Sequence, residues 1–167
     1  MPGMDYRECL QRGCAKLELQ SASKDDIIAE LVDLLHDEER IENRDAVLEA
    51  VLERERQMST GMQHGIALPH AKTVAVQRIV TAVALKKGGA EFDALDGKPS
   101  RIFLLMVSPI LLGPQHLEVL GDVSKVLSRP DVRKRLLKAR SGPELIDILV
   151  AGPAAGKQAR TAVGPPS

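Results

Sequence analysis

The most informative stretch of this chain is STGMQHGIALPHAKT, which occupies residues 59–73. The apolar run at residues 66–68 is typical of a short strand. Pro69 fixes its own φ and keeps Leu68 extended, so the stretch presents His70 at a rigid strand end. Gly61 and Gly65 permit tight turns and the close approach of another backbone, as a docking surface for a partner would need.

The side chains around His70 decide which chemistry the segment favours, because a neutral imidazole can act as a base, a metal ligand or a nucleophile. Residues 59–73 contain no Asp or Glu, which gives no support to an acyl-transfer triad. Lys72 and Thr73 add hydrogen-bond donors beside the ring. A phosphoryl acceptor needs a free ring nitrogen and donors for three oxygens, and the segment supplies both.

Patterns on both sides of this segment predict the fold. Ser23 and Asn43 can each cap a helix. In the first helix, apolar residues follow helical spacing as far as residue 35, and in the second the apolar pattern ends near Arg56. Residues 79–85 and 102–107 are rich in β-branched and apolar side chains, typical of interior strands, and a turn lies between them at residues 93–99. Three more helical patterns follow, at residues 117–127, 132–137 and 145–149. This order predicts an α/β fold, a single layered domain at residues 1–150.

Composition excludes several classes of partner. The chain has 167 residues and is 44% hydrophobic, enough for one ordinary core. Lys plus Arg and Asp plus Glu both number 23, so no net field attracts nucleic acid or anionic lipid. The aromatic residues are Tyr6, Phe92 and Phe103, too few for a base-stacking platform. We therefore expect no nucleic-acid partner.

The ends of the sequence favour a cytoplasmic protein. The first residues carry acids and lack the apolar region of a signal peptide. The apolar run at residues 102–107 is far shorter than the roughly 20 residues of a membrane span, so no membrane insertion is expected. Residues 151–167 are predicted to form a disordered tail, because Gly, Ala and Pro dominate without apolar periodicity. GPAAGKQ in this tail resembles a phosphate loop but is one residue short between its glycines and lacks Ser or Thr, so it is rejected as a nucleotide site.

The two cysteines do not indicate a metal site. Cys9 and Cys14 lack the paired spacing and the matching histidines of a zinc centre, and they are interpreted as ordinary reduced thiols. We expect neither a metal nor an organic cofactor.

Together these residues resemble a known signature. Arg54-Glu55, then STG at residues 59–61 and GIALPHAK at residues 65–72, resemble the enzyme IIA signature of the fructose/mannitol class, type 2, of the bacterial phosphotransferase system (PTS), including its nitrogen-regulatory relatives. Phe92 before an acidic turn, the strand at residues 102–107, Pro109, and His116-Leu117 opening a helix extend the resemblance over roughly residues 5–150. Met58 stands where many relatives have Gly, a change that removes no catalytic group.

The resemblance implies a small mixed or antiparallel β-sheet flanked by helices, a phosphotransferase activity and the roles of individual residues. His70 would be the phosphorylated nucleophile, charged by the phosphocarrier HPr and discharged onto a cysteine of an enzyme IIB protein. His116 and Arg54 would stabilise the phosphoryl group. Thr60, His64 and Lys72 are candidate binding residues for phosphate or a partner. No nucleotide, metal or other cofactor is required.

Two alternatives remain open at this stage. One is a regulatory enzyme IIA that binds target proteins according to the phosphorylation state of His70. Since no IIB or IIC segment follows residue 150, we expect any transport partner to be a separate chain, which favours regulation. The other is a zinc-dependent hydrolase using His64, His70 and His116, which needs a carboxylate or fourth ligand that the sequence does not place.

Overall fold

The computed structural model describes residues 4–153. Its elements are α1 (Tyr6–Gln11), β1 (Cys14–Lys16), α2 (Lys24–Asp37), α3 (Arg44–Gln57), β2 (Ile66–Ala67), β3 (His70–Thr73), β4 (Val80–Ala90), β5 (Ser100–Pro109), a 3₁₀ turn (Ile110–Leu112), α4 (Gly113–Leu127), α5 (Pro130–Leu137) and α6 (Gly142–Ala151). None of these helices is long and apolar enough to cross a bilayer. The predicted tail lies almost entirely outside the described residues, so it and the domain boundary at residue 150 stay predictions.

The helix starts follow from local chemistry. The Ser23 hydroxyl accepts a hydrogen bond from the Asp26 N–H at 3.2 Å, and the Asn43 side chain accepts one from the Ala46 N–H at 3.0 Å. Each cap satisfies a backbone donor that the first turn of a helix leaves unpaired. Both helix starts predicted from the sequence are thus observed.

The sheet is mixed, and its pairing positions His70. β4 and β5 are antiparallel, whereas β1 pairs with β4 in parallel and both β2 and β3 pair with β5 in parallel. β2 aligns Ile66 with Ile102, and β3 aligns His70 with Met106, so the two short strands follow each other along one edge of β5. This confirms the predicted mixed sheet.

Helices cover both faces of the sheet. Along β5, Phe103, Leu105 and Val107 join one buried cluster with side chains of α2 and α3. Ile102, Leu104 and Met106 join the other, with side chains of α1, α4, α5 and α6. This alternation of strand side chains between two helical layers gives an α/β/α arrangement.

The sequence patterns do not predict three short elements. They are α1, β1 and β3, with 6, 3 and 4 residues. Each is too short for a helical or strand spacing of apolar residues to be recognised. Strand β3 is also mostly polar, since it consists of His70, Ala71, Lys72 and Thr73.

Candidate functional site

His70 is the first residue of β3, directly after Pro69. Its Nδ1 lies 2.8 Å from the carbonyl oxygen of Leu68, and the ring is half-buried. A carbonyl oxygen can only accept a hydrogen bond, so Nδ1 carries the proton and Nε2 keeps its lone pair in the neutral ring. The backbone therefore holds the imidazole in a form with a free ring nitrogen.

His116 lies in the first turn of α4, and it faces His70. The two ring centroids are 5.4 Å apart with the planes tilted by 52°. His116 is only 3% exposed, and its Nδ1 lies 2.7 Å from the hydroxyl oxygen of Ser108 near the end of β5. Strand β5 and helix α4, joined by the short 3₁₀ turn, thus bring a second imidazole beside the first.

Two cationic side chains complete the surroundings of the imidazole pair. Arg54 in the last turn of α3 donates from Nη1 to the Met58 carbonyl at 2.8 Å. Arg54, Lys72, His70 and His116 line one cavity of about 510 Å³, whose wall also includes Glu53. We call it the histidine-pair cavity. Two fixed positive charges beside two imidazoles suit an anion such as a phosphoryl group.

The same surroundings keep both imidazoles uncharged near neutral pH. Burial lowers the pKa of His70, and the positive charges of Arg54 and Lys72 lower it further, against the opposing effect of the Leu68 hydrogen bond. Burial lowers the pKa of His116 to about 4, with charge on His70, Lys72 and Arg54 acting in the same direction. Neutral His70 retains the lone pair that nucleophilic attack requires.

Comparison with known proteins agrees with this geometry. Residues 8–151 match the family model of the phosphoenolpyruvate-dependent sugar phosphotransferase system, EIIA 2. The chain belongs to this family. A phosphotransferase role follows in general terms, and the family resemblance inferred from residues 54–73 is confirmed.

Three similar proteins show the range of the family. The PTS system fructose-specific EIIA component of Haloferax volcanii is 41% identical over 133 residues, which are 80% of this chain and 86% of that protein. The crystal structure of nitrogen regulatory protein IIA-Ntr from Neisseria meningitidis superposes with a TM-score of 0.76 at 29% identity, covering 86% of this chain and 97% of that one. In the complex of enzyme IIA-Mtl and phosphorylated enzyme IIB-Mtl from Escherichia coli, the matching chain has a TM-score of 0.68 at 20% identity, covering 82% of this chain and 94% of that one, which shows the shared fold.

An apolar groove adjoins the histidine-pair cavity of this enzyme IIA. Met62, Leu68, Leu117 and Leu120 line it together with His70, and its volume is about 400 Å³. Leu117 is 68% exposed, although the sequence pattern groups it with the apolar stripe of α4. The buried stripe of α4 instead comprises His116, Val119, Val123, Val126 and Leu127. The leucine beside the second histidine is therefore available to a partner.

A buried carboxylate fixes the loop that leads to His70. Glu55 is 6% exposed and accepts hydrogen bonds from the Thr60 N–H at 2.7 Å and from the Thr60 hydroxyl at 2.6 Å. The Lys24 ammonium lies 2.8 Å from the same carboxylate. The Thr60 hydroxyl uses its proton in this network, so to donate to phosphate it would have to break a bond to Glu55.

Gly61 makes the close backbone approach that the sequence predicts, but within the chain. A Cβ at this position would lie 2.6 Å from the Phe92 carbonyl oxygen and 2.9 Å from the Ala94 Cα. The absence of a side chain thus allows residues 59–61 to pack against the segment after β4, and no partner is needed to explain this glycine.

His64 lies apart from the histidine pair. It is exposed at φ 65°, and its backbone N–H donates to Asp96 at 3.2 Å. It lines a separate pocket next to the apolar groove, with Met62 and Leu68, and not the cavity shared by His70 and His116. In residues 4–153 no group of three or more His, Cys, Asp or Glu side chains is placed to hold a metal, so the zinc-hydrolase alternative has no ligand set there.

Sequence reasoning missed Ser108 and Lys24, and gave Glu55 no role of its own. The Arg54-Glu55 pair in the signature was the available signal for the carboxylate. Ser108 carried no signal, because its importance depends on the 3₁₀ turn that folds α4 back beside the end of β5.

Proposed function

We propose that this enzyme IIA is a phosphohistidine carrier, in which Nε2 of His70 accepts a phosphoryl group from HPr and passes it to a cysteine of an enzyme IIB protein. The observation that carries the proposal is the hydrogen bond between His70 Nδ1 and the Leu68 carbonyl. It leaves Nε2 as the free nitrogen of a ring that lines a cavity with Arg54, Lys72 and His116.

Charging and discharging are both displacements at phosphorus. In charging, the Nε2 lone pair attacks the phosphorus and an N–P bond forms as the donor's bond to phosphorus breaks. In discharging, the enzyme IIB thiolate attacks, so an S–P bond forms and the N–P bond to His70 breaks. Arg54, Lys72 and His116 offset the negative charge on the three phosphoryl oxygens in a loose transition state.

The apolar groove supports a protein as donor and acceptor. A small substrate would not require the exposed Leu117 and the neighbouring Met62 beside the reacting nitrogen, whereas protein interfaces bury apolar side chains around a reactive centre. In the Escherichia coli structure the partner is phosphorylated enzyme IIB. We propose the same class of acceptor, HPr as the donor, and the cytoplasm as the compartment, because these accompany the family.

Phosphorylation in a reconstituted system tests the proposal. Incubation with enzyme I, HPr and phosphoenolpyruvate should add one acid-labile, alkali-stable phosphoryl group, detected by mass spectrometry and mapped to His70. His70→Ala should abolish the adduct, whereas His36→Ala, at an exposed histidine of α2, should retain it as a matched control. An unchanged yield in His70→Ala would show that the acceptor is another residue.

A regulatory role is the second candidate, favoured by the position of His70 beside the apolar groove. Phosphorylation there adds about −1.5 to −2 charges, enough to block or create a protein contact. Partners captured by the wild type should then differ from those captured by His70→Ala. Recovery of an enzyme IIB protein as the sole responsive partner, with loss of growth on one sugar in a deletion strain, would indicate transport instead.

A further inference from the structure

The Ser108 hydroxyl has a restricted choice of hydrogen bonds. Ser108 is 0% exposed, and within residues 4–153 the one hydrogen-bond partner of its Oγ is Nδ1 of His116, at 2.7 Å. A hydroxyl carries one proton and can donate only one hydrogen bond. A buried proton without an acceptor costs the full desolvation of that group.

This restriction determines the direction of the bond. If Nδ1–H of His116 donated to Oγ, the proton of Ser108 would have no acceptor among the described residues. If the hydroxyl donates to Nδ1, both groups are satisfied. The second arrangement places the single proton of the neutral His116 ring on Nε2.

We propose that Ser108 is a positioning residue that holds His116 as the Nε2–H tautomer, so that this nitrogen donates a hydrogen bond to a phosphoryl oxygen on His70. The inference rests on the proposed phosphocarrier function. Ser108 acts through the His116 ring, because its buried hydroxyl contacts His116 Nδ1.

The two histidines are then held in opposite tautomers. The Leu68 carbonyl fixes the proton of His70 on Nδ1, and the Ser108 hydroxyl fixes the proton of His116 on Nε2. One ring offers a lone pair to phosphorus and the other offers an N–H to oxygen. No proton has to move when the phosphoryl group arrives or leaves, which is the preorganisation that lowers a charge-transfer barrier.

The tautomer matters because His116 works as a neutral ring. Its burial disfavours the imidazolium form, which would otherwise present an N–H on both nitrogens. In the Nδ1–H tautomer the Nε2 lone pair would instead face the phosphoryl oxygens. Two acceptors would then oppose each other, and the transition state would lose a donor.

Nitrogen NMR of the ¹⁵N-histidine-labelled full chain tests the tautomers directly. Near pH 7.5, a value chosen to keep both rings neutral, about one proton should reside on Nε2 of His116 and on Nδ1 of His70. In Ser108→Ala the His116 signals should shift toward a mixture of tautomers. A wild-type His116 protonated on Nδ1 would overturn the proposal.

Transfer kinetics give a second readout with a matched control. Ser108→Ala should slow the charging of His70 at saturating HPr by roughly tenfold, with little change in KM for HPr, and Ser108→Thr should recover most of the rate. Ser100→Ala is the control, because Ser100 lies on the same strand, is also 0% exposed, and has no hydrogen-bond partner for its Oγ within the described chain. It should leave both the rate and the His116 signals unchanged.

The phosphocarrier function and the role of Ser108 can be refuted by different results. A wild-type protein that HPr cannot phosphorylate would refute the phosphocarrier function. A wild-type protein that is phosphorylated normally, while Ser108→Ala matches Ser100→Ala in rate and in ring-nitrogen signals, would refute the role of Ser108 alone.

Discussion

The Lys24 ammonium and the Glu55 carboxylate are 2.8 Å apart, with side chains 19% and 5% exposed. Since Glu55 also binds Thr60 through two hydrogen bonds, this pair links the start of α2, the end of α3 and the loop before β2. Arg54, the neighbour of Glu55, lines the histidine-pair cavity together with His70. The buried pair thus ties the helix that carries Arg54 to the loop that leads toward His70.

Glu55→Ala should destabilise the protein by about 3 kcal/mol, because it leaves the two Thr60 donors without their acceptor and removes the buried partner of Lys24. The Lys24 ammonium then retains the exposed Asp93 carboxylate, at 3.2 Å. Urea denaturation followed by circular dichroism measures the change. Glu53→Ala is the control, since Glu53 is exposed and its ion pair within residues 4–153 is with exposed Arg56, at 2.8 Å. That variant should stay within about 0.5 kcal/mol of the wild type. Equal stabilities for the two variants would show that the buried network contributes nothing.

Local sequence predicted the parts of this molecule that depend on local chemistry. The caps at Ser23 and Asn43, the interior strands and the presentation of His70 after Pro69 all depend on a few adjacent residues. The placement of His116 and Arg54 near His70 came from the family resemblance, since no spacing rule brings α3, β3 and α4 together. The contacts of Ser108 with His116 and of Lys24 with Glu55 could not be predicted, because sheet register and helix packing decide them.

Stability should fall as the pH is lowered through the ordinary range of a histidine. In the unfolded chain the pKa of His116 returns to 6.5, whereas burial holds it at about 4 in the folded protein. The unfolded state therefore binds its proton first, so stability is present above pH 6.5 and is lost as the pH falls toward 4. The lowered pKa of His70 acts in the same direction.

Between pH 7 and pH 5, chosen to span this window, His116 should account for a loss of about 2 kcal/mol in unfolding free energy. Urea titrations at both pH values measure it, and His116→Asn should reduce the difference. His36→Asn, at an exposed histidine of α2, is the matched control and should preserve it. The same pH dependence in His116→Asn and the wild type would contradict the effect of burial.

Arg54→Lys should slow both charging and discharging by about tenfold, even though the positive charge is retained. Arg54 donates from Nη1 to the Met58 carbonyl, and the planar guanidinium has further N–H groups for phosphoryl oxygens. The ammonium of a lysine cannot bind the Met58 carbonyl and a phosphoryl oxygen in fixed directions at the same time. Rapid-quench measurements with phosphorylated HPr give the rates.

Arg56→Lys, in the same turn of α3 but paired with Glu53, is the control and should match the wild type. If Arg54→Lys retains full rates while Arg54→Ala does not, charge alone suffices.

Leu117→Ala should weaken docking of the protein donor without changing the chemistry. Leu117 is 68% exposed and lines both the apolar groove and the histidine-pair cavity, so its truncation removes apolar contact at the centre of the proposed interface. Loss of a central contact of this kind costs about 1.4 kcal/mol, which should raise KM for HPr about tenfold. The rate at saturating HPr and the unfolding free energy should stay close to those of the wild type.

Val74→Ala is the control, because Val74 is 86% exposed and follows β3 outside both cavities. An unchanged KM in Leu117→Ala would place the donor interface elsewhere, whereas a lower saturating rate with an unchanged KM would mean that Leu117 orders His116 instead of contacting HPr.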